Sequence, residues 1–154
     1  MYLTVRKRCE QPIFEFSEVG LGFPIKKEEI PDLNYASYFS KFKLDKRMDF
    51  LVPISICRIP PIGWNGLEFP KLFPTLESFK DFKTSKNEKS FSLMYKEEVL
   101  DKFDPVQIFM ELKKISGFRP FVLLCYEKRG SFCHRNLIVN WMQEKKLPIT
   151  EWKR

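Results

Sequence analysis

The chain is poor in the residues that build the common catalytic and cofactor motifs. It has one histidine, His134, and 6 glycines in 154 residues. Those glycines form neither a G-x-G-x-x-G turn nor a P-loop, which removes the two glycine cradles most used for nucleotide phosphates. No G-x-S-x-G elbow and no supported Ser/His/Asp set is present. No apolar run approaches the roughly 20 residues that a membrane-spanning helix needs. The start, Met1 to Cys9, lacks the apolar stretch of a signal peptide. The expectation is a cytoplasmic protein with no membrane partner. Its four cysteines, Cys9, Cys57, Cys125 and Cys133, are then reduced thiols rather than a secreted disulfide framework.

What the chain does have is charge and phenylalanine. Net charge is +7, and the basic residues lie in small groups such as Arg6–Arg8, Lys41–Arg47 and Lys128–Arg129. An excess of this size favours polyanionic partners, nucleic acid first, although a dispersed excess also serves solubility alone. The 16 Phe and the 44% hydrophobic content beside 31% charged residues are globular in composition and predict a Phe-rich core. A chain of 154 residues is enough for one domain and short for two.

Residues 1–33 read as an N-terminal arm. Tyr2–Val5 and Ile13–Phe16 alternate like short strands before Gly20, Gly22 and Pro24 break the pattern. From residue 34 to 154 the pattern is that of an α/β domain, a small, partly parallel sheet flanked by helices. Tyr35–Phe39 and Asp49–Arg58 read as strands, the second expected to start at Ile54 because Pro53 cannot donate to a ladder. Trp64 sits in a Gly/Pro loop, where it either caps a pocket or covers the core edge. Helices are expected after Thr75, over Ser90–Lys102, and from Asp104–Pro105 to the stop at Gly117.

The most informative stretch is Phe121–Met142. Five apolar residues, Phe121–Cys125, read as a strand buried on both faces, and an amphipathic run begins at Cys133 after a loop containing Gly130. Strand, loop and helix put Cys125 and Glu127 at a strand's carboxyl end. Cys133, His134 and Arg135 fall in the first turn of the helix, whose N–H groups lack partners. That end favours an anion, and a guanidinium fork at Arg135 strengthens the preference. Arg135 has an alternative use, an internal pair with Glu127. Cys125 or Cys133 would be a nucleophile if the helix end and nearby cations lower its pKa, with His134 as proton carrier and Glu127 as a general base. A Cys ending an apolar strand is also ordinary packing. As a metal centre, Cys125, Cys133 and His134 lack the paired knuckles of common zinc sites and need a fourth ligand from Cys9, Cys57 or Glu127, so no metal is assigned. Arg58 and Tyr38 reach the same crevice if their strands run beside the Phe121 strand in parallel.

These residues also resemble a known family. Leu123-Leu124-Cys125-Tyr126-Glu127-Lys128 followed by Cys133-His134-Arg135-Asn136-Leu137-Ile138 is similar to the C-terminal signature of the bacterial domain-of-unknown-function family 488. Tyr35–Phe42 resembles its Tyr-x-Ser-Tyr-Phe segment, Pro53–Arg58 its next strand, and Tyr95–Pro105 its helix-to-helix junction. The resemblance runs from about Asn34 to Met142. It implies a compact α/β domain whose Cys-x-Glu and Cys-His-Arg elements line the site. Carried over by position, it points to Cys125, Glu127, Cys133, His134 and Arg135, with Tyr38, Ser55 and Arg58 as secondary members. Two readings of function follow. One is a hydrolase or glycosylase acting on a nucleotide or nucleic acid, with Glu127, Cys125 and His134 catalytic and Arg135, Cys133, Arg58, Tyr38 and Ser55 around the anion. The other is a non-catalytic module that binds nucleic acid or protein, or a structural metal site. Sequence names no cofactor and no oligomeric state.

Overall fold

A computed structural model describes residues 33–153. The strands expected at Tyr2–Val5 and Ile13–Phe16, the rest of the arm and Cys9 lie outside those residues. Five strands and five α-helices, with three short 3₁₀ turns between them, follow one another among the described residues. They are β1 (Asn34–Tyr38), α1 (Phe39–Leu44), β2 (Val52–Ser55), β3 (Leu67–Glu68), α2 (Leu76–Ser85), α3 (Glu88–Glu98), α4 (Pro105–Ile115), β4 (Phe121–Cys125), α5 (His134–Gln143) and β5 (Ile149–Glu151). The strands form one sheet in the order β3-β2-β4-β1-β5, and every neighbouring pair is parallel. No helix among the described residues is long and apolar enough to cross a membrane.

β4 is central because its five residues are all buried, as a strand covered on both faces must be. Val122 and Leu124 face one layer, where they pack with Phe42 of α1, Met48 and Leu51. Phe121, Leu123 and Cys125 face the other, with Ile138 and Met142 of α5 and the aromatic side chains of α3. Each fully buried side chain of this size contributes about 1.5–3 kcal/mol. Asn34 ties the starts of three strands together: its Oδ1 accepts from Phe121 N at 3.1 Å and its Nδ2 donates to Pro148 O at 3.1 Å.

The chain leaves β1 for β2 on one side of β4 and leaves β4 for β5 on the far side of β1. The helices that follow, α1 and α5, therefore lie on opposite faces, and a crevice opens beyond the carboxyl ends of the central strands.

Several elements differ from the sequence-based expectation. β2 includes Pro53 and ends at Ser55. Val52 N donates to Pro120 O and Ile56 N to Leu124 O, so those N–H groups face β4. By the alternation of a strand, the nitrogen of Pro53 faces the β3 side, where pairing begins only at Ile54–Leu67. Its missing donor costs no ladder bond. The helix expected to begin at Ser90 begins at Glu88, because the Asn87 side chain caps it by accepting from Ser90 N. It stops at Glu98, and a 3₁₀ turn at Leu100–Lys102 follows, keeping Leu100 buried. β3 and β5 were not expected: two and three residues carry too little period to stand out. Trp64 covers the core edge, its ring 5.2 Å from that of Phe39 and its Nε1 donating to Leu67 O.

Candidate functional site

Cys125 ends β4 with its side chain fully enclosed. The chain turns through Gly130, whose φ of 86° suits a residue without Cβ, and enters α5 with Cys133 as its cap. The Cys133 sulfur accepts from Arg135 N at 3.4 Å, doing for this helix what a serine hydroxyl commonly does. Glu127, exposed in the loop, brings Oε2 to 3.3 Å from Cys125 Sγ and 3.2 Å from Cys133 Sγ. Cys125, Glu127 and Cys133 thus present three potential metal-ligand atoms within 4.8 Å of one another.

Cys57, just past β2, completes a row of sulfurs beside Cys125, and all three thiols are free of disulfides. Burial opposes a thiolate at Cys125. The neighbouring Cys133 and Cys57 thiols, together with His134 and Arg135, outweigh that opposition and hold its pKa well below the ordinary thiol range. Cys57 shifts upward through the adjacent Cys125 sulfur and its burial, while its Sγ donates to Leu124 O at 3.8 Å. Cys133 shifts upward through burial and the Cys125 sulfur beside it.

His134 lies against Tyr95, ring centres 5.4 Å apart. Its Nε2 is 2.9 Å from Ile56 O, and a carbonyl only accepts, so Nε2 carries the proton. Nδ1 then faces the Cys133 sulfur at 3.8 Å with its lone pair in the neutral ring.

Arg135 is fully buried, and its Nη donors serve the protein while its Nε has no hydrogen-bond partner. Nη1 donates to Ser37 O, Glu127 O and Cys125 Sγ, and Nη2 pairs with Glu151 at 3.0 Å. Burial opposes its charge, but Cys125, Cys133 and Glu151 more than restore it. Its carboxylate partner is Glu151 rather than Glu127, which contributes a backbone carbonyl. Tyr38 stands behind Arg135, ring centre 6.0 Å from Cζ. Ser55 is buried and accepts from Cys57 N at 3.2 Å, shaping the end of β2. Neither Tyr38, Ser55 nor Arg135 lines the main cavity.

That cavity, about 380 Å³, opens beyond β2 and β4 against α2 and α3. Phe79, Phe82, Phe91, Tyr126 and Phe132 form its walls, with Phe82, Phe91 and Phe132 in mutual ring contact at 5.1–5.7 Å. Cys57, Cys133 and His134 lie at its buried end, Glu127 beside them, and Arg58 and Lys83 at its exposed mouth. Arg58 is set there by Nε and Nη2 donating to Pro74 O at 3.2 and 3.1 Å. Lys83 Nζ sits 4.7 Å from the Phe79 ring centre.

The structure brings together Cys125, Glu127, Cys133, His134 and Arg135 as one contiguous group and adds Arg58 through the cavity. Sequence reasoning missed the aromatic walls, Lys83 and Glu151. High aromatic content was visible, but nothing local marks which rings share a hollow. No curated protein and no solved structure matches the chain. A family model described as the active DUF488-N3 subclade, DUF488-N3a, matches residues 38–146, a span holding Cys57, Cys125, Glu127 and Cys133–Arg135. With most of its length under that match, the chain belongs to the DUF488 family, in the active DUF488-N3 subclade.

Proposed function

We propose that the protein is a nucleotide- or nucleic-acid-processing enzyme that holds a phosphate-bearing ligand in the aromatic cavity and reacts it at the Cys125, Glu127 and His134 end. The observation that carries this reading is the make-up of one hollow: ring faces on its walls, two cations at its mouth, and thiol, carboxylate and imidazole groups at its inner end. Ring faces accept any nucleobase by stacking. Its volume falls within the range of small-ligand pockets, roughly 300–1,000 Å³.

Polarity sets the direction of binding. A phosphate is costly to strip of water, so it stays at the mouth with Arg58 and Lys83 while the base packs against the wall that Phe82, Phe91 and Phe132 form together. The bonds that link base, sugar and phosphate then lie along the side occupied by Glu127 and Cys133. Glu127 and the Nδ1 of His134 are the proton-exchanging groups there, and the Cys125 sulfur stands directly behind. Hydrolysis of a glycosidic or phosphoester bond is the chemistry this supports. The description of the matched subclade as active agrees with a working centre in this chain.

The test is a panel of nucleotides and short single- and double-stranded DNA and RNA, with products read by mass spectrometry. The wild-type protein releases product from at least one member. Glu127→Gln and Cys125→Ser, each verified as folded by circular dichroism, abolish release. Turnover at the wild-type rate in both variants overturns the assignment. Salt-sensitive binding with no product from any substrate replaces it with a recognition module.

A further inference from the structure

We propose that Cys125, Cys133 and Glu127 form a binding site for one thiophilic divalent cation of the zinc class, with a fourth coordination position open to the aromatic cavity. This goes beyond the reading of the cavity and holds whatever ligand the cavity takes.

The first support is spacing. Zinc bonds of about 2.3 Å to sulfur and about 2.0 Å to oxygen, arranged tetrahedrally, set ligand atoms about 3.5 Å apart for S···O and about 3.8 Å for S···S. Here Glu127 Oε2 is 3.3 and 3.2 Å from the two sulfurs, and all three atoms lie within 4.8 Å of one another. A small outward shift of Glu127, which is exposed and in a loop, brings both S···O separations to the required length.

The second support is the layer of donors behind the ligands. Arg135 donates to both sulfurs, through Nη1 to Cys125 at 3.1 Å and through its backbone N–H to Cys133 at 3.4 Å. A sulfur that accepts such bonds while ligating is oriented and held as a thiolate, which is how supporting groups tune metal sites. Charge also favours a cation: Glu151 already pairs with Arg135, so two thiolates and the Glu127 carboxylate would carry three negative charges, and a divalent ion offsets two of them.

The third support is access. Cys133 and Glu127 line the cavity, whereas Cys125 lies behind it and is fully enclosed. A cation held by all three therefore has its protein ligands on one side and the hollow on the other. That is the arrangement of catalytic rather than structural zinc sites, which keep an open position. Two sulfur ligands select zinc-class ions over calcium or magnesium. Loaded, the site adds a Lewis acid at the inner end of the cavity.

The experiment uses the full chain with reduced thiols, stripped by a chelator and titrated with zinc against a chromophoric competitor. One zinc binds per chain with sub-micromolar affinity. Cys125→Ser and Cys133→Ser weaken binding by more than about 100-fold, beyond the 10–100-fold typical of losing a merely supporting contact. Glu127→Gln, at an exposed position where folding is least at risk, weakens it by at least about 10-fold, whereas Cys57→Ser, at a thiol that neighbours Cys125 without being one of the three ligands, weakens it by less than either cysteine-ligand replacement does. Cobalt substitution gives visible bands of a tetrahedral ion and a sulfur-to-cobalt charge-transfer intensity for two thiolates. No zinc uptake by the wild type, or uptake indifferent to Cys125, Cys133 and Glu127, overturns the proposal. A three-thiolate spectrum lost in Cys57→Ser also overturns it, by closing the fourth position. Because zinc uptake is read without substrate, its failure and that of the enzymatic reading are separate results.

Discussion

The guanidinium of Arg135 reaches the sulfur of Cys125 at 3.1 Å, so the buried start of α5 is joined to the end of the central strand by a charged contact. The same Nη1 holds the carbonyls of Ser37 and Glu127, which makes one side chain the tie between β1, β4, the loop after β4 and, through Glu151, β5.

Arg135→Met therefore leaves Glu151 and the carbonyls of Ser37 and Glu127 without their donor. Breaking one partner of a buried ion pair costs about 3–5 kcal/mol. Urea denaturation of the variant will show an unfolding free energy lower by that amount and a lower midpoint, or no folded baseline at all. An unchanged midpoint would show the tie to be dispensable.

Arg58→Ala tests the phosphate contact, and its cost to the fold is confined to the two bonds that Arg58 donates to Pro74 O. Its side chain is exposed at the cavity mouth, and losing a charged hydrogen bond is worth about 1.5–3 kcal/mol. On the proposed reading, the affinity for a nucleotide falls about 10- to 100-fold in calorimetric titration, and the salt dependence becomes shallower. Equal affinity in the variant would place the phosphate elsewhere.

Tyr95 lies wholly buried under His134 and donates from its hydroxyl to Leu72 O at 2.7 Å. Burial, then the nearby thiols, raise its pKa well above the ordinary phenol value, so it stays protonated and donating. Tyr95→Phe strands that carbonyl and costs about 1–3 kcal/mol in thermal or chemical unfolding.

Asp45 carries the acid sensitivity. The Arg47 side chain hydrogen-bonded to it is the main cause of its depressed pKa, joined by Trp152, the Arg47 backbone and Lys41 against an opposing effect of burial. A depressed folded pKa gives stability that is complete above the unfolded carboxylate value and lost as pH falls toward the folded one. The wild type will lose more stability than Asp45→Asn between about pH 5 and pH 2. Parallel losses in the two proteins would remove Asp45 from the account.

Gly66→Ala tests the loop under Trp64. A Cβ at Gly66 would stand 2.3 Å from Cζ2 of the Trp64 ring, which is itself packed on Phe39 and bonded to Leu67 O. Displacing the ring costs about 1–3 kcal/mol and shifts its fluorescence to longer wavelength as the indole meets water.

Much of this was legible in the chain. Phe121–Cys125 announced a doubly buried strand because a run of apolar residues has no other place in a sheet of this kind. Asp104–Pro105 and Thr75 marked helix starts through their side-chain chemistry, and both caps form. The short β3 and β5 escaped notice because their pairing, not their composition, makes them strands. Arg135 read either as a fork for an anion at an open helix start or as an internal partner of Glu127, and local pattern could not choose. Its enclosure depends on Glu151, 16 residues on, and on Ser37 at a distant strand.

By itself the sequence determined that Cys125 ends a buried strand and that Cys133 opens a helix a short loop later, since local period, turn and cap chemistry act within a few residues. Only the tertiary structure decided that Cys57 joins those sulfurs, that Glu127 touches both Cys125 and Cys133, and that five aromatic rings enclose the space before them. These contacts follow from strand order and from the layers on either side of the sheet, and such long-range packing leaves no mark at any one position along the chain.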